Sequence, residues 1–208
     1  MRLRNGQEVL LRPIKPEDEP LWLEMFQSFS EESIRYRFFQ VIKDTPHEVR
    51  VRYCNIDYDR EIAIVAELTE EGGRRILGVA RLSIEPDGKN GELAFIVSDK
   101  WQGLGLGTKM VDYVLEIAKE MGVETVYAIM LPDNKRALSL TQKMGFNLEY
   151  LKDGTVKGVL NLKEETAKYG EPALQQPDAT EEQAPVPSKE TGRAQQTEVS
   201  LLKEGVST

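Results

Sequence analysis

Val97-Ser98-Asp99-Lys100-Trp101-Gln102-Gly103-Leu104-Gly105-Leu106-Gly107-Thr108 decides how this chain is read. The apolar run Glu92–Val97 predicts a strand that enters this glycine-rich turn. The turn opens a predicted amphipathic helix over Leu104–Met121, with Met110, Val111, Val114, Leu115 and Ala118 on one face and Gly122 past its end. Glycines let a backbone take positive φ and approach a ligand closely. A helix start adds free N–H groups and the positive end of the helix dipole. Strand, turn and helix together make a main-chain cradle for a diphosphate.

Three phosphate-bearing ligands could use such a cradle. A dinucleotide site wants G-x-G-x-x-G, and after Gly103 and Gly105 the third glycine would fall where Thr108 stands. A P-loop wants glycine, lysine and then a hydroxyl residue, but here Gly107 is followed by Thr108 and then Lys109. The coenzyme A pattern, Gln or Arg, two residues, Gly, one residue, then Gly or Ala, is met by Gln102, Gly105 and Gly107 without adjustment. The bland alternative is a glycine turn that merely starts a tightly packed helix.

Working outward, Glu8–Ile14 reads as a short strand closed by Pro13 and Pro16, and Pro16-Glu17-Asp18 opens a helix carrying Leu21, Trp22, Met25 and Phe26. Glu31–Phe39 and Pro46–Cys54 read as further helices. Ile62–Leu68 and Ile76–Ile84 are strands around Glu70-Glu71-Gly72-Gly73, and Pro86-Asp87-Gly88 leads into Glu92–Val97. Beyond the long helix come a buried strand, Thr125–Met130, a helix, Asn134–Met144, and a strand pair, Phe146–Leu151 and Val156–Leu162, around Asp153-Gly154. This order predicts an α/β (α+β) fold: a single mixed, mostly antiparallel sheet of about six to seven strands flanked by helices.

Composition narrows the chemistry. The chain has 208 residues, enough for one domain and an appendage. Residues 1–164 are expected to fold. Residues 165–208, rich in Glu, Gln, Pro, Thr and Ala, are expected to be a disordered polar tail with a short helical piece near Val199–Lys203. A single cysteine, Cys54, and a single histidine, His47, argue against disulfides, cysteine-rich zinc sites and a Ser-His-Asp triad. No metal is expected. A net charge of −8 argues against nucleic acid as a partner. No apolar run reaches the roughly 18 residues a spanning helix needs, and Met1-Arg2-Leu3-Arg4-Asn5-Gly6 lacks a signal-peptide core. No membrane partner and a cytoplasmic location are the expectations that follow.

With the loop at Gln102–Gly107 and a second block, Pro132-Asp133-Asn134-Lys135-Arg136-Ala137-Leu138 followed by Lys143-Met144-Gly145-Phe146, the sequence resembles the GCN5-related N-acetyltransferase (GNAT) family over about residues 8–162. Within it, Ser33–Phe39, Ile56–Glu61 and Gly91–Phe95 are most similar to bacterial protein-lysine acetyltransferases that modify acyl-CoA synthetases. The resemblance implies an acyl-CoA-dependent N-acyltransferase with acetyl-CoA as co-substrate and an amine, most often a protein lysine, as acceptor. It implies that Glu92 is the general base, and that backbone at Phe95, Ile96 and Val97 holds the pantetheine arm. It places the diphosphate on Gln102, Gly103, Leu104, Gly105, Leu106, Gly107 and Thr108. Asn134, Arg136 and Ala137 are also implied to bind the cofactor, Asn134 through the pantetheine arm or a bound water. Family members commonly carry a tyrosine acid where this chain has Thr141, so the general acid is unassigned.

The residues also admit plainer readings. Glu92 could be a half-exposed strand residue or an ion-pair partner, Asn134 a helix N-cap, and Cys54 a core residue rather than a nucleophile. The arginines 35, 37, 50, 52 and 60 read as solvated faces and ion pairs. A small-molecule amine acetyltransferase and a non-catalytic acyl-CoA-binding regulatory domain stay open beside the protein-lysine reading.

Overall fold

The computed structural model describes residues 1–163, so the tail expected over 165–208, its helical piece included, lies outside the described residues. Among the described residues seven strands are formed: β1 Leu10–Pro13, β2 Glu61–Glu70, β3 Gly73–Ile84, β4 Asn90–Val97, β5 Thr125–Met130, β6 Asn147–Tyr150 and β7 Val156–Asn161. Five α-helices accompany them: α1 Glu19–Gln27, α2 Glu31–Phe38, α3 His47–Cys54, α4 Leu106–Glu120 and α5 Lys135–Lys143. The strands make one sheet in the order β1-β2-β3-β4-β5-β7-β6, and every neighbouring pair is antiparallel except β4 with β5. This is the mixed, mostly antiparallel sheet that the element order predicts.

The near-continuous apolar run in β2 has a direct cause, because the sheet is covered on both faces. Ile62, Ile64 and Ala66 join the core under α4 and α5, with Met110, Val111, Val114 and Leu138. Ala63 and Val65 face the other way, into a second core with Trp22, Phe26, Phe38 and Tyr53 from α1, α2 and α3. Each fully buried aliphatic side chain contributes about 1.5–3 kcal/mol, so the two layers clamp the sheet between them. The same alternation orients β4. Leu93 and Val97 belong to the α4 core and Ile96 to the other, so Glu92 and Ala94 look toward the α1–α3 side.

Helix starts beside the site differ from the sequence reading for local reasons. The helix predicted from Leu104 begins at Leu106, because Gly105 adopts φ of 87° and sits as its N-cap. The helix predicted from Asn134 begins at Lys135, because the Asn134 side chain accepts a hydrogen bond from the Ala137 amide at 3.1 Å and caps it.

Candidate active site

The central feature is a fork in the sheet. The parallel β4–β5 ladder consists of Asn90↔Thr125, Gly91↔Val126 and Glu92↔Tyr127 and goes no further. β4 nevertheless runs on to Val97, still paired with β3, and β5 runs on to Met130, still paired with β7. The two strands therefore part beyond Glu92, and the main chain of Phe95, Ile96 and Val97 borders the opening. Glu92 stands at the apex. It is buried, with 2% of its surface exposed, which overturns the half-exposed alternative. A carboxylate is expensive to bury unless it is used or paired.

Both arms of the fork end in helix starts. On the β4 side the chain turns through Gly103 and Gly105, whose φ angles of 75° and 87° are left-handed and favour glycine. Gly103 and Thr108 are exposed, Leu104 is half-buried and Leu106 is buried in the α4 core. A side chain at Gly107 would press to 3.3 Å from Leu140 and 3.8 Å from both Phe95 and Val97. The glycine thus leaves room between β4 and α5. On the β5 side, Asn134 caps α5, and Arg136 and Ala137 lie in its first turn. Gln102 joins the two arms: its Nε2 donates to the Val97 carbonyl at 2.9 Å and to Ser33 Oγ at 3.2 Å, and its Oε1 accepts from the Arg136 guanidinium. The resemblance placed Gln102 on the diphosphate; here its side chain holds the loop in shape.

Helix α2 ties the arms together from the other layer. Ser30 and Ser33 donate to Asp99, and Arg35 pairs with Asp133. Burial would raise the Asp99 pKa, but these donors outweigh it and hold the carboxylate below its ordinary range. Asp133 is thus an ion-pair partner, and Asn134 is the cap, as its plainer reading has it.

Around Glu92, the Tyr127 hydroxyl donates to Glu85 Oε1 at 2.6 Å and also interacts with Glu92. Burial, then the Glu85 hydrogen bond and the Glu92 charge, push the tyrosine pKa well above its ordinary value. Arg81 shares this face and is engaged with Glu61 at 2.8 Å and the Tyr53 carbonyl at 2.6 Å. Sequence reasoning assigned no role to Tyr127, Glu85 or Arg4. Arg4 donates its amide to the Leu104 carbonyl at 3.3 Å, and its Nε lies 3.8 Å from where a Gly105 side chain would begin. Nothing local in the N-terminal stretch signals that approach.

Other candidates resolve simply. Thr141 is fully buried and donates to the Ala137 and Leu138 carbonyls, so it cannot serve as an acid. Burial pushes the Cys54 thiol up to about 12, which denies it thiolate character. A hollow of about 220 Å³ lined by Leu21, Met25, Ile76, Ser98 and Trp101 contains neither Glu92 nor the loop glycines. Among the described residues, no cluster of three or more His, Cys, Asp or Glu could hold a metal. No described helix is long and apolar enough to cross a membrane.

Comparison with known proteins gives the family and the fold. The sequence model of the Acetyltransferase (GNAT) family matches residues 22–146. An acetyltransferase of Pseudomonas aeruginosa is 27% identical over 144 residues, 69% of this chain and 77% of that protein. The acetyltransferase Pat of Mycolicibacterium smegmatis is 28% identical over 148 residues, 70% of this chain but only 43% of that protein, so the chain spans less than half of it. Among solved structures, the GNAT domain of S. lividans PAT superposes with a TM-score of 0.70 at 24% identity, covering 77% of this chain and 94% of that one. Spermidine N-acetyltransferase from Vibrio cholerae, in complex with CoA and spermine, gives 0.61 at 16% identity, covering 74% and 96%. At these identities the two structures establish the fold.

Proposed function

The chain belongs to the GNAT acetyltransferase family, and from that premise we propose that it transfers an acetyl group from acetyl-CoA to the side-chain amine of a protein lysine, by direct attack in a ternary complex. The observation that carries this reading is the fork: a buried carboxylate, Glu92, at the apex of two parting strands, whose arms end in the glycine-rich start of α4 and the start of α5.

The residues fit an acyl-CoA. The α4 start offers amides at Leu106, Gly107 and Thr108 to a diphosphate, and Arg4 and Arg136 bring positive charge to its flanks. The room beside Gly107 and the unpaired edge of Phe95–Val97 suit an extended, amide-bearing arm. When bound, acetyl-CoA supplies an activated thioester. Glu92 accepts the proton of the incoming ammonium, directly or through water. Main-chain amides along the β4 edge stabilise the oxyanion as the C–N bond forms and the C–S bond breaks. The chain need supply no acid, because a thiolate of reference pKa about 8.5 leaves readily near neutrality.

The likeness of Ser33–Phe39 and Ile56–Glu61 to bacterial protein-lysine acetyltransferases supports lysine as the acceptor, with an acyl-CoA synthetase as the target class. Thiol release from acetyl-CoA, measured with an acyl-CoA synthetase protein and with a polyamine panel, tests it. Turnover on the synthetase, mapped to a lysine, is expected. Turnover confined to spermidine or its analogues would move the enzyme to small amines, and binding without turnover on any amine would leave a regulatory domain.

A further inference from the structure

Glu92 is almost wholly buried, so a proton that it accepts has no direct contact with bulk water. A general base must lose that proton before it can act again, and the route has to run through other hydrogen-bonding groups. The sheet provides one. Tyr127 lies directly opposite Glu92 in the β4–β5 ladder, where neighbouring strands stand about 4.8 Å apart. Its hydroxyl interacts with Glu92 and donates to Glu85 Oε1 at 2.6 Å. Tyr127 is 6% exposed, whereas Glu85, just past β3, is only half-buried. A buried carboxyl, a buried phenol and a carboxylate in reach of solvent thus follow one another.

The chemistry of a phenol sets the direction. Its oxygen carries one proton and can also accept one. While Tyr127 donates to Glu85, it can only accept from Glu92, and Glu92 has a proton to donate only after it has acted as a base. The other groups on this face cannot substitute for Glu85. Lys157, whose ammonium stands 4.6 Å from the Tyr127 ring centre, and Arg81, held by Glu61, carry donors and no acceptor atom. Cys54 keeps its proton, and Tyr53 carries its own hydroxyl on α3.

Resting on Glu92 as the base, we infer that Tyr127 and Glu85 form the exit by which the substrate's proton reaches solvent. The Glu92 O–H bond breaks as its proton passes to the Tyr127 oxygen, and the phenol's own O–H bond breaks as its proton passes to Glu85. Glu92 is then a carboxylate, Tyr127 a neutral phenol and Glu85 a carboxylic acid. Glu85 releases the proton to water, and the phenol hydroxyl turns back toward it. The first donor and the last acceptor are both carboxyl groups, so the route hands the proton from a buried glutamate to one in reach of solvent. Tyr127 does not touch the amine; it is a positioning residue that acts through Glu92.

Two variants test this. Tyr127→Phe removes only the hydroxyl. Glu85→Gln keeps an oxygen to accept the phenol's hydrogen bond but cannot take its proton. Thiol release is followed with acetyl-CoA and whichever acceptor, synthetase protein or spermidine, the wild type uses. In dilute buffer, kcat of both variants is expected to fall about a hundredfold, the lower end of what a positioned proton transfer contributes. It should recover as imidazole buffer is raised, while the wild type responds little. Infrared difference spectra of the ligand-free protein identify the Glu92 carboxylate band by its loss in Glu92→Gln, and that band should shift in Tyr127→Phe. Wild-type kcat in Glu85→Gln at low buffer would overturn the exit, as would losses in both variants that imidazole does not restore. Thiol release undiminished in Glu92→Gln would instead overturn the base itself, and the exit with it.

Discussion

Replacing Glu92 by glutamine tests the proposed base. The side chain keeps its size in a site that is 2% exposed, so the packing of β4 is undisturbed. Removing a buried carboxylate also removes its desolvation cost, so Tm should not fall. What is lost is the proton acceptor. A lysine of reference pKa about 10.4 lies roughly three pH units above a neutral assay, and at about 1.4 kcal/mol per unit the neutral amine costs about 4 kcal/mol to supply. Without Glu92 that cost falls on the rate, a loss of about a thousandfold near pH 7.4, within the usual range for general base catalysis. The variant's kcat/KM should then climb about tenfold per pH unit toward the lysine pKa, whereas the wild type levels off at lower pH. Thiol release across the alkaline range reads both profiles, and calorimetry checks that acetyl-CoA still binds. A variant with the wild-type rate and slope would refute the base assignment.

Further outcomes follow from particular contacts. Gly105→Ala puts a side chain on a left-handed backbone of φ 87°; it should cost about 1–2 kcal/mol, seen as a Tm lower by several degrees, and weaken acetyl-CoA binding in the same protein. For Asp18, burial alone would raise the pKa, but the paired Arg12 hydrogen bonds at 2.6 and 2.8 Å and the Lys15 amide outweigh it and hold it below the ordinary range. A depressed folded pKa gives stability that is present above the unfolded value of about 3.9 and lost as pH falls through the folded one. Urea melts should therefore show Asp18→Asn less stable than the wild type near neutrality, with the gap closing in acid. Cys54, with its thiol pushed up to about 12, should resist iodoacetamide in the folded protein at neutral pH and react on unfolding, as mass spectrometry would show.

Much of this was legible in the sequence because it is local. Apolar runs marked the strands, the Met110–Ala118 stripe marked α4, and the glycines of Gln102–Gly107 marked the turn between α4 and the strand that carries Glu92. What was not legible depends on pairing between distant segments. The fork exists because the β4–β5 ladder ends at Glu92↔Tyr127, and no spacing within either strand encodes where a ladder between them stops. Tyr127 sits in Thr125–Met130, which reads as an apolar core strand; its partners Glu85 and Glu92 appear only once β3, β4 and β5 are side by side. Arg4 reaches the loop from the far N-terminal stretch, and Asp133, just before α5, pairs with Arg35 of α2. Local capping also moved two helix starts, at Gly105 and Asn134, by a residue or two.

The account stands on a main-chain grip at the start of α4 that aims an acyl thioester at Glu92. Calorimetric titration with acetyl-CoA, set beside acetyl-pantetheine, which lacks the diphosphate, tests that grip most directly. Saturable one-site binding of acetyl-CoA and far weaker binding of acetyl-pantetheine are predicted. Equal affinity for the two, or no heat from acetyl-CoA in folded protein, would contradict it.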